Sequence, residues 1–201
     1  MSSKPFAAIV ALALILVVTA TSFAFDGNRK GFVIGFGAGL GYTSHKNSVE
    51  HLTEGTTSFE RLTHTGAATD IRVGYGFSEG VILYYVNKVN WLKAEWEWLE
   101  DGKEYTTAVG IGGVGVSYYL DPESPLYLTA ALPVAGWIGP FENNMDTLGG
   151  LGFSAGAGYE LAKHLSVEAQ LFYGRPSDNK EPLTYKSNMF GMMITVNGLL
   201  Y

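Results

Sequence analysis

From Phe32 to Tyr42 the even positions are Phe32, Ile34, Phe36, Ala38, Leu40 and Tyr42, while Gly35, Gly37, Gly39 and Gly41 occupy the odd ones. Successive side chains of a strand point to opposite faces, so this spacing makes one face continuously apolar and leaves the other nearly bare. A helix, with its period of 3.6, does not place residues this way. Weaker versions of the alternation recur to the end of the chain. Strands are predicted at 31–43, 64–77, 81–92, 104–120, 126–138, 148–161, 165–174 and 188–201.

The connections alternate as regularly as the side chains. Ser78-Glu79-Gly80, Asp121-Pro122-Glu123-Ser124-Pro125 and Ala162-Lys163-His164 are short and carry turn chemistry. The intervening loops, 44–63, 93–103, 139–147 and 175–187, are longer and polar. Eight strands with all short turns on one side and all long loops on the other predict an eight-stranded antiparallel up-and-down transmembrane β-barrel. In loop 93–103, Asp101-Gly102 is the usual centre of a tight hairpin, so the flanking strands are expected to continue past Trp96 and Trp98 as an exposed ribbon.

Parity assigns the faces. Strand 64–77 turns Ala67, Thr69, Ile71, Val73, Tyr75 and Phe77 outward, with Asp70 and Arg72 inward. Strand 148–161 turns Glu160 inward, strand 165–174 turns Glu168 and Gln170 inward, and Lys88 is expected to follow. Charge at the lipid midplane costs about 2–4 kcal/mol, so its confinement to one face identifies that face as the lumen. Asp70, Arg72, Lys88, Glu160, Glu168 and Gln170 are thus expected to form a polar network that plugs a barrel of this size. Two irregularities are predicted, a bulge at Gly112-Gly113 and a slip near Asn197-Gly198. Aromatic residues cluster near the strand ends, and Tyr42, Tyr75, Phe77, Trp91, Trp137, Tyr159 and Tyr173 are read as two girdles at the membrane interfaces. Tyr119 and Tyr127 are counted in the girdle nearer the short turns.

The N-terminus has the form of a secretory signal. Lys4 precedes an apolar run from Phe6 to Val18, and Ser22-Phe23-Ala24 offers a small-x-small cleavage site. The expected organisation is a signal peptide at 1–24 and a barrel domain at 25–201. Loss of Lys4 takes the formal charge from −6 to −7, a balance opposed to nucleic-acid binding. The chain has no cysteine, which excludes a disulfide scaffold and a lipid-modified cysteine anchor.

The alternating strand Gly35 to Tyr42, the hairpin Gly156-Ala157-Gly158-Tyr159-Glu160-Leu161 with Leu165-Ser166-Val167-Glu168, and the aromatic C-terminus resemble the bacterial outer-membrane β-barrel family. That family includes OmpA-type transmembrane domains, OmpX and the opacity proteins. The resemblance implies residence in the cell outer membrane as a monomer, contact with outer-membrane lipids and lipopolysaccharide, and insertion by the barrel assembly machinery. In this family the machinery reads a final strand ending in an aromatic residue, the position Tyr201 fills.

Other motifs lack the context their chemistry needs. Gly110-Ile111-Gly112-Gly113-Val114-Gly115 matches a dinucleotide fingerprint, but no helix follows to hold a pyrophosphate. Gly152-Phe153-Ser154-Ala155-Gly156 matches a nucleophile elbow, yet Ser154 lies mid-strand. His164-Leu165-Ser166 with Asp178 or Glu181 loosely resembles the His-x-Ser spacing of lipid A deacylases, with its members on opposite sides of the membrane. His45, Glu50, His51, Glu54 and His64 in the first loop have no metal-ligand spacing. Hence no enzyme, metal or cofactor is expected. The expected role is structural or surface-interactive, with loops 44–63, 93–103, 139–147 and 175–187 open to extracellular partners. The alternative is a narrow channel or carrier for small or hydrophobic solutes, if the inward glycines leave a cavity.

Overall fold

The computed structural model describes residues 29–51, 55–95, 104–141 and 147–201. The expected signal peptide, Trp96, Trp98 and the expected turn at Asp101-Gly102 lie outside them. The strands are β1 (Gly31–His51), β2 (Gly55–Ser78), β3 (Val81–Glu95), β4 (Glu104–Tyr119), β5 (Leu126–Ile138), β6 (Leu148–Ala162), β7 (Leu165–Gly174), the short β8 (Ser177–Lys180) and β9 (Leu183–Leu200). β1 to β7 pair in sequence, β7 pairs with β9, and β9 pairs with β1, all antiparallel. Among the described residues this closes a ring of eight strands without an edge, and β8 lies outside the ring as a hairpin partner of β9.

Closure satisfies the backbone, and the pleat then sorts side chains between lipid and lumen. Along β1 the outward face carries Phe32, Ile34, Phe36, Ala38, Leu40 and Tyr42, then turns polar at Ser44 and Lys46. The apolar band therefore ends near Tyr42, and the strand continues nine residues past it to His51. Here the structure corrects the predicted limits. Most of 44–63 is not loop but a two-stranded ribbon paired from Ser44↔Thr63 to His51↔Gly55. The segment 175–187 likewise holds β8 and the beginning of β9.

The three short turns use the residues expected of them. Gly80 N donates to Ser78 Oγ, and in the second turn Glu123 N donates to Asp121 Oδ1 while Leu126 N donates to Ser124 Oγ. His164 has a positive φ of 64° and sits where β6 and β7 slip register between Glu160 and Ala162, the geometry of a turn with an adjoining bulge.

Neither predicted irregularity is present. β4 pairs without interruption to both neighbours through Gly112 and Gly113. The alternation only looks broken there, because Ile111 faces an apolar part of the lumen while Gly110 and Gly112 leave the outer face bare. β9 also keeps register through Asn197 and Gly198, so Leu200 is outward and Tyr201 turns toward the lumen.

Candidate functional site

Among the described residues, buried charge is concentrated in the lumen. Asp70 and Arg72 are two apart on β2 and so share its inner face. Register places Lys88 of β3 directly opposite Asp70, and Glu168 enters from β7. Lys88 Nζ lies 2.6 Å from Asp70 Oδ2 and 2.8 Å from Glu168 Oε1; Arg72 Nη2 lies 2.5 Å and 2.8 Å from the same two oxygens. Two cations and two anions thus close a ring of ion pairs. β3 and β7 are four strands apart in either direction around the barrel, so the Lys88–Glu168 pair crosses its full diameter. All four side chains are almost fully buried, where mutual pairing must offset a desolvation cost of several kcal/mol per ion.

The other two members of the expected network stand apart from this quartet. Gln170 Nε2 donates to Ser154 Oγ across β6 and β7 at 3.1 Å. Glu160 lies toward the short turns and is bound by a residue that precedes the first strand. Arg29 donates to Glu160 Oε2 at 2.8 Å and Oε1 at 3.2 Å, and to the carbonyls of Glu79, Pro122 and Ser124. Its guanidinium lies 3.5 Å from the Tyr119 ring centre. Tyr119 and Tyr201 both donate their hydroxyls to Glu160 Oε1, at 2.7 and 3.1 Å. Arg29 therefore ties two turns and Glu160 together and closes that end of the barrel. Nothing in the periodicity of the chain marks Arg29; the signal available was an unpaired inward Glu160 at the barrel end, which needs a cation.

Apolar layers lie on both sides of the quartet. Below it, Val33, Ile82, Tyr84, Val86, Tyr119, Tyr127 and Ala131 pack together, joined by Tyr201. Above it, Ala68, Leu92, Val109, Ile111, Trp137, Leu148, Phe172, Met189 and Met193 form a second cluster. This corrects three girdle assignments. Trp137, Tyr119 and Tyr127 are 1%, 1% and 0% exposed and point inward. On β5 the outward set is Leu126, Leu128, Leu132, Val134 and Ile138, so parity sends Tyr127 and Trp137 to the lumen whatever their height. Tyr42, Tyr75, Phe77, Trp91, Tyr159 and Tyr173 do face outward, as parity assigns them.

The inward glycines leave little room. A Cβ on Gly37 would lie 1.8 Å from Asn197 Oδ1, one on Gly41 2.6 Å from the Asn90 amide, and one on Gly35 2.6 Å from Leu199. On other strands, Gly158 makes way for the Tyr127 ring and Gly191 for Phe172. The bare wall is thus a set of slots filled by side chains from neighbouring strands.

Above the apolar band, His45 is buried with its ring 4.2 Å from Trp137, edge to face, and 5.3 Å from His64, stacked. Burial, with like charge at His64 and Arg61 adding to it, pushes its pKa down to about 3, so the imidazole is neutral at physiological pH. Of the loop residues weighed as metal ligands, His45 and His64 meet, Glu50 takes the Lys186 ammonium, and Glu54 is outside the described residues. The His-x-Ser set is not assembled. Ser166 is buried and accepts from Tyr127 near the short turns, whereas Asp178 lies on β8 beyond the far end of β7.

No protein-family model matches the chain, and no curated protein matches it in sequence. Solved structures do match. The outer membrane protein OprG from Pseudomonas aeruginosa is 14% identical with a TM-score of 0.51, over 88% of this chain and 100% of that one. Neisserial surface protein A is 15% identical (TM-score 0.41; 84% and 97% covered), and Ail, the attachment invasion locus protein of Yersinia pestis, 12% identical (TM-score 0.37; 79% and 97% covered). Identities this low establish fold alone. With the apolar outer band, the fold shared with OprG makes this chain a transmembrane β-barrel of the outer-membrane type, located in the outer membrane.

Proposed function

We propose that the protein is a structural or surface-interacting outer-membrane barrel with a sealed lumen, and not a conduit. The observation that carries this reading is the Lys88–Glu168 pair. It spans the diameter, is locked to Arg72 and Asp70, and has an apolar layer on each side. Eight strands enclose a space that side chains can fill, and here they do. The channel or carrier reading depended on space beside the inward glycines, and that space is taken by Asn197, Asn90, Leu199, Tyr127 and Phe172.

The interactive part of the proposal rests on what stands outside the membrane. The β1–β2 ribbon and the β8–β9 hairpin rise beyond the apolar band. Between them Lys46, Arg175 and Lys186, with Ser48, Ser58 and Ser177, line a cavity of about 370 Å³. Its cations follow the last outward apolar residues by only a few positions, a height suited to lipopolysaccharide phosphates. Tyr201 fits both an assembly signal read by the barrel assembly machinery and a lumen contact to Glu160.

Planar-bilayer recording of the purified protein tests the sealed lumen. Wild type is expected to be silent, and Arg72→Ala to stay silent because the upper apolar layer remains. Discrete conductance steps from the wild-type protein would overturn the proposal.

A further inference from the structure

Among the described residues, the outward positions between the two aromatic levels are apolar or glycine at all but two sites. One exception, Thr69, accepts a hydrogen bond from Trp91 Nε1 at 2.9 Å. The other is Asn87 on β3, whose carboxamide has no hydrogen-bond partner among the described residues. An amide facing hydrocarbon without a partner is unfavourable, since lipid tails can neither donate nor accept. Asn87 and the hydroxyl of Tyr85 converge over bare backbone, both within 3.3 Å of where a Gly112 Cβ would stand.

The wall next to Asn87 is hollowed. Gly110 of β4, Gly136 of β5 and Gly149 of β6 pair in one row across three strands, and the groove there holds about 300 Å³. These glycines are not equivalent. A Cβ on Gly110 would strike the Lys88 carbonyl at 2.0 Å, so the barrel itself requires that glycine. A Cβ on Gly136 would meet only ordinary contacts at 3.8 Å, and one on Gly149 would meet nothing within 4 Å. Neither has a positive φ. Glycine weakens a strand, and where its own fold does not require one, close approach by another backbone is the usual reason.

We propose that this face joins two copies of the chain in the membrane, with the Asn87 amides hydrogen-bonded to each other across a two-fold axis along the membrane normal. Such an axis keeps every residue at its own depth in both copies, so Asn87 meets Asn87. A carboxamide both donates and accepts, and therefore satisfies its own copy. The axis also sets the β2 side of each copy, with Ile71 and Val73, against the hollowed β4–β6 side of the other. Small residues that admit a close neighbour, joined to a polar pair, are the means by which membrane surfaces associate without a hydrophobic drive. A lipid acyl chain would fill the groove but leave both polar groups unmet. The monomer expected from the sequence gives way to a dimer.

The absence of cysteine makes the test direct. Val89→Cys, at the next outward position of β3 and lining the same groove, keeps Asn87; treated with a short bis-maleimide in isolated outer membranes, it is expected to cross-link into a dimer at least tenfold more than Leu171→Cys on β7, diametrically opposite. Adding Gly136→Leu to Val89→Cys puts a side chain into the groove from a position where a Cβ meets only ordinary contacts, and is expected to abolish the cross-link. Its heat-modifiable gel mobility, the mark of a folded barrel, should not change. Asn87→Leu is expected to fold and to sediment in detergent as a monomer where wild type is a dimer. Cross-linking at Val89→Cys no greater than at Leu171→Cys, or unaffected by Gly136→Leu, would overturn the proposal. So would a monomeric wild type carrying lipid that Gly136→Leu displaces.

Discussion

The two halves of the lumen are filled by different chemistry. In its lower half, charge is paired around Lys88, Asp70, Arg72 and Glu168, and again around Arg29 and Glu160. In its upper half, Trp137, Phe172, Met189 and Met193 pack as a soluble protein packs its core. The halves differ in what they demand of their neighbours. An apolar contact survives a change of partner at the cost of some volume, whereas a buried charge that loses its partner has no cheap alternative. The lower half thus specifies which strands face one another, and the upper half only fills.

This contrast can be broken at its strongest point. Glu168→Leu removes one of the two anions that both cations share and leaves Arg72 and Lys88 competing for Asp70. It is expected to destabilise the barrel by about 3–5 kcal/mol, read from denaturant unfolding in lipid vesicles. Replacing all four charges by apolar residues of similar volume should cost much less than that single change, because no ion is then stranded. If the single change proves the milder, the lower half does not specify pairing.

Met189→Ala probes the upper half. Truncating this fully buried side chain is expected to cost about 2–4 kcal/mol, in the range of other large-to-small core changes. Met189→Leu, which keeps the volume, should cost under about 1.5 kcal/mol. A volume-conserving change as damaging as the truncation would show that the upper half is also specific.

The smallest effect is expected at the boundary between barrel and ribbon. His45 is held neutral, with a pKa near 3 against about 6.5 in an unfolded chain. A base whose folded pKa is depressed contributes stability that is complete above about pH 6.5. That contribution declines as acid protonates the unfolded form, down to the folded value near 3. Hydrogen exchange of β1–β2 amides above Tyr42 should therefore quicken as pH falls through that window, after correction for intrinsic rates, while the quartet-bearing strands hold. His45→Phe should weaken the dependence, and the His64 imidazole stacked on it, also pushed down by burial, should keep the remainder.

What was legible in the chain follows from its two solvents. Lipid outside imposes a strict rule, so Phe32 to Tyr42, Ile71, Val73 and Phe153 declare strand, face and barrel at once. Charge inside is the mirror of the same rule, which is why Asp70, Arg72, Lys88, Glu160 and Glu168 could be placed by parity. The lumen's apolar layers obey no such contrast. Ile111 and Trp137 look like lipid-facing residues because hydrophobicity alone does not tell one dry environment from another. On β4 the inward Ile111 and the outward Gly110 and Gly112 blur both faces together and imitate a bulge. Parity counted from Leu126 would have turned Trp137 inward; ranking aromatics by height hid it. Arg29 was invisible for a different reason, since it lies outside any repeating pattern and acts only when three distant segments meet.

The Lys88–Glu168 pair also bears on how the barrel is completed. In an open sheet β3 and β7 are separated by about 19 Å of strand spacing, well beyond contact. Only when β9 pairs with β1 does curvature bring the two side chains to 2.8 Å. Until then Arg72 and Lys88 have Asp70 alone, and Glu168 stands without the two cations that the finished ring supplies. The bond across the middle rewards the last seam and no earlier one.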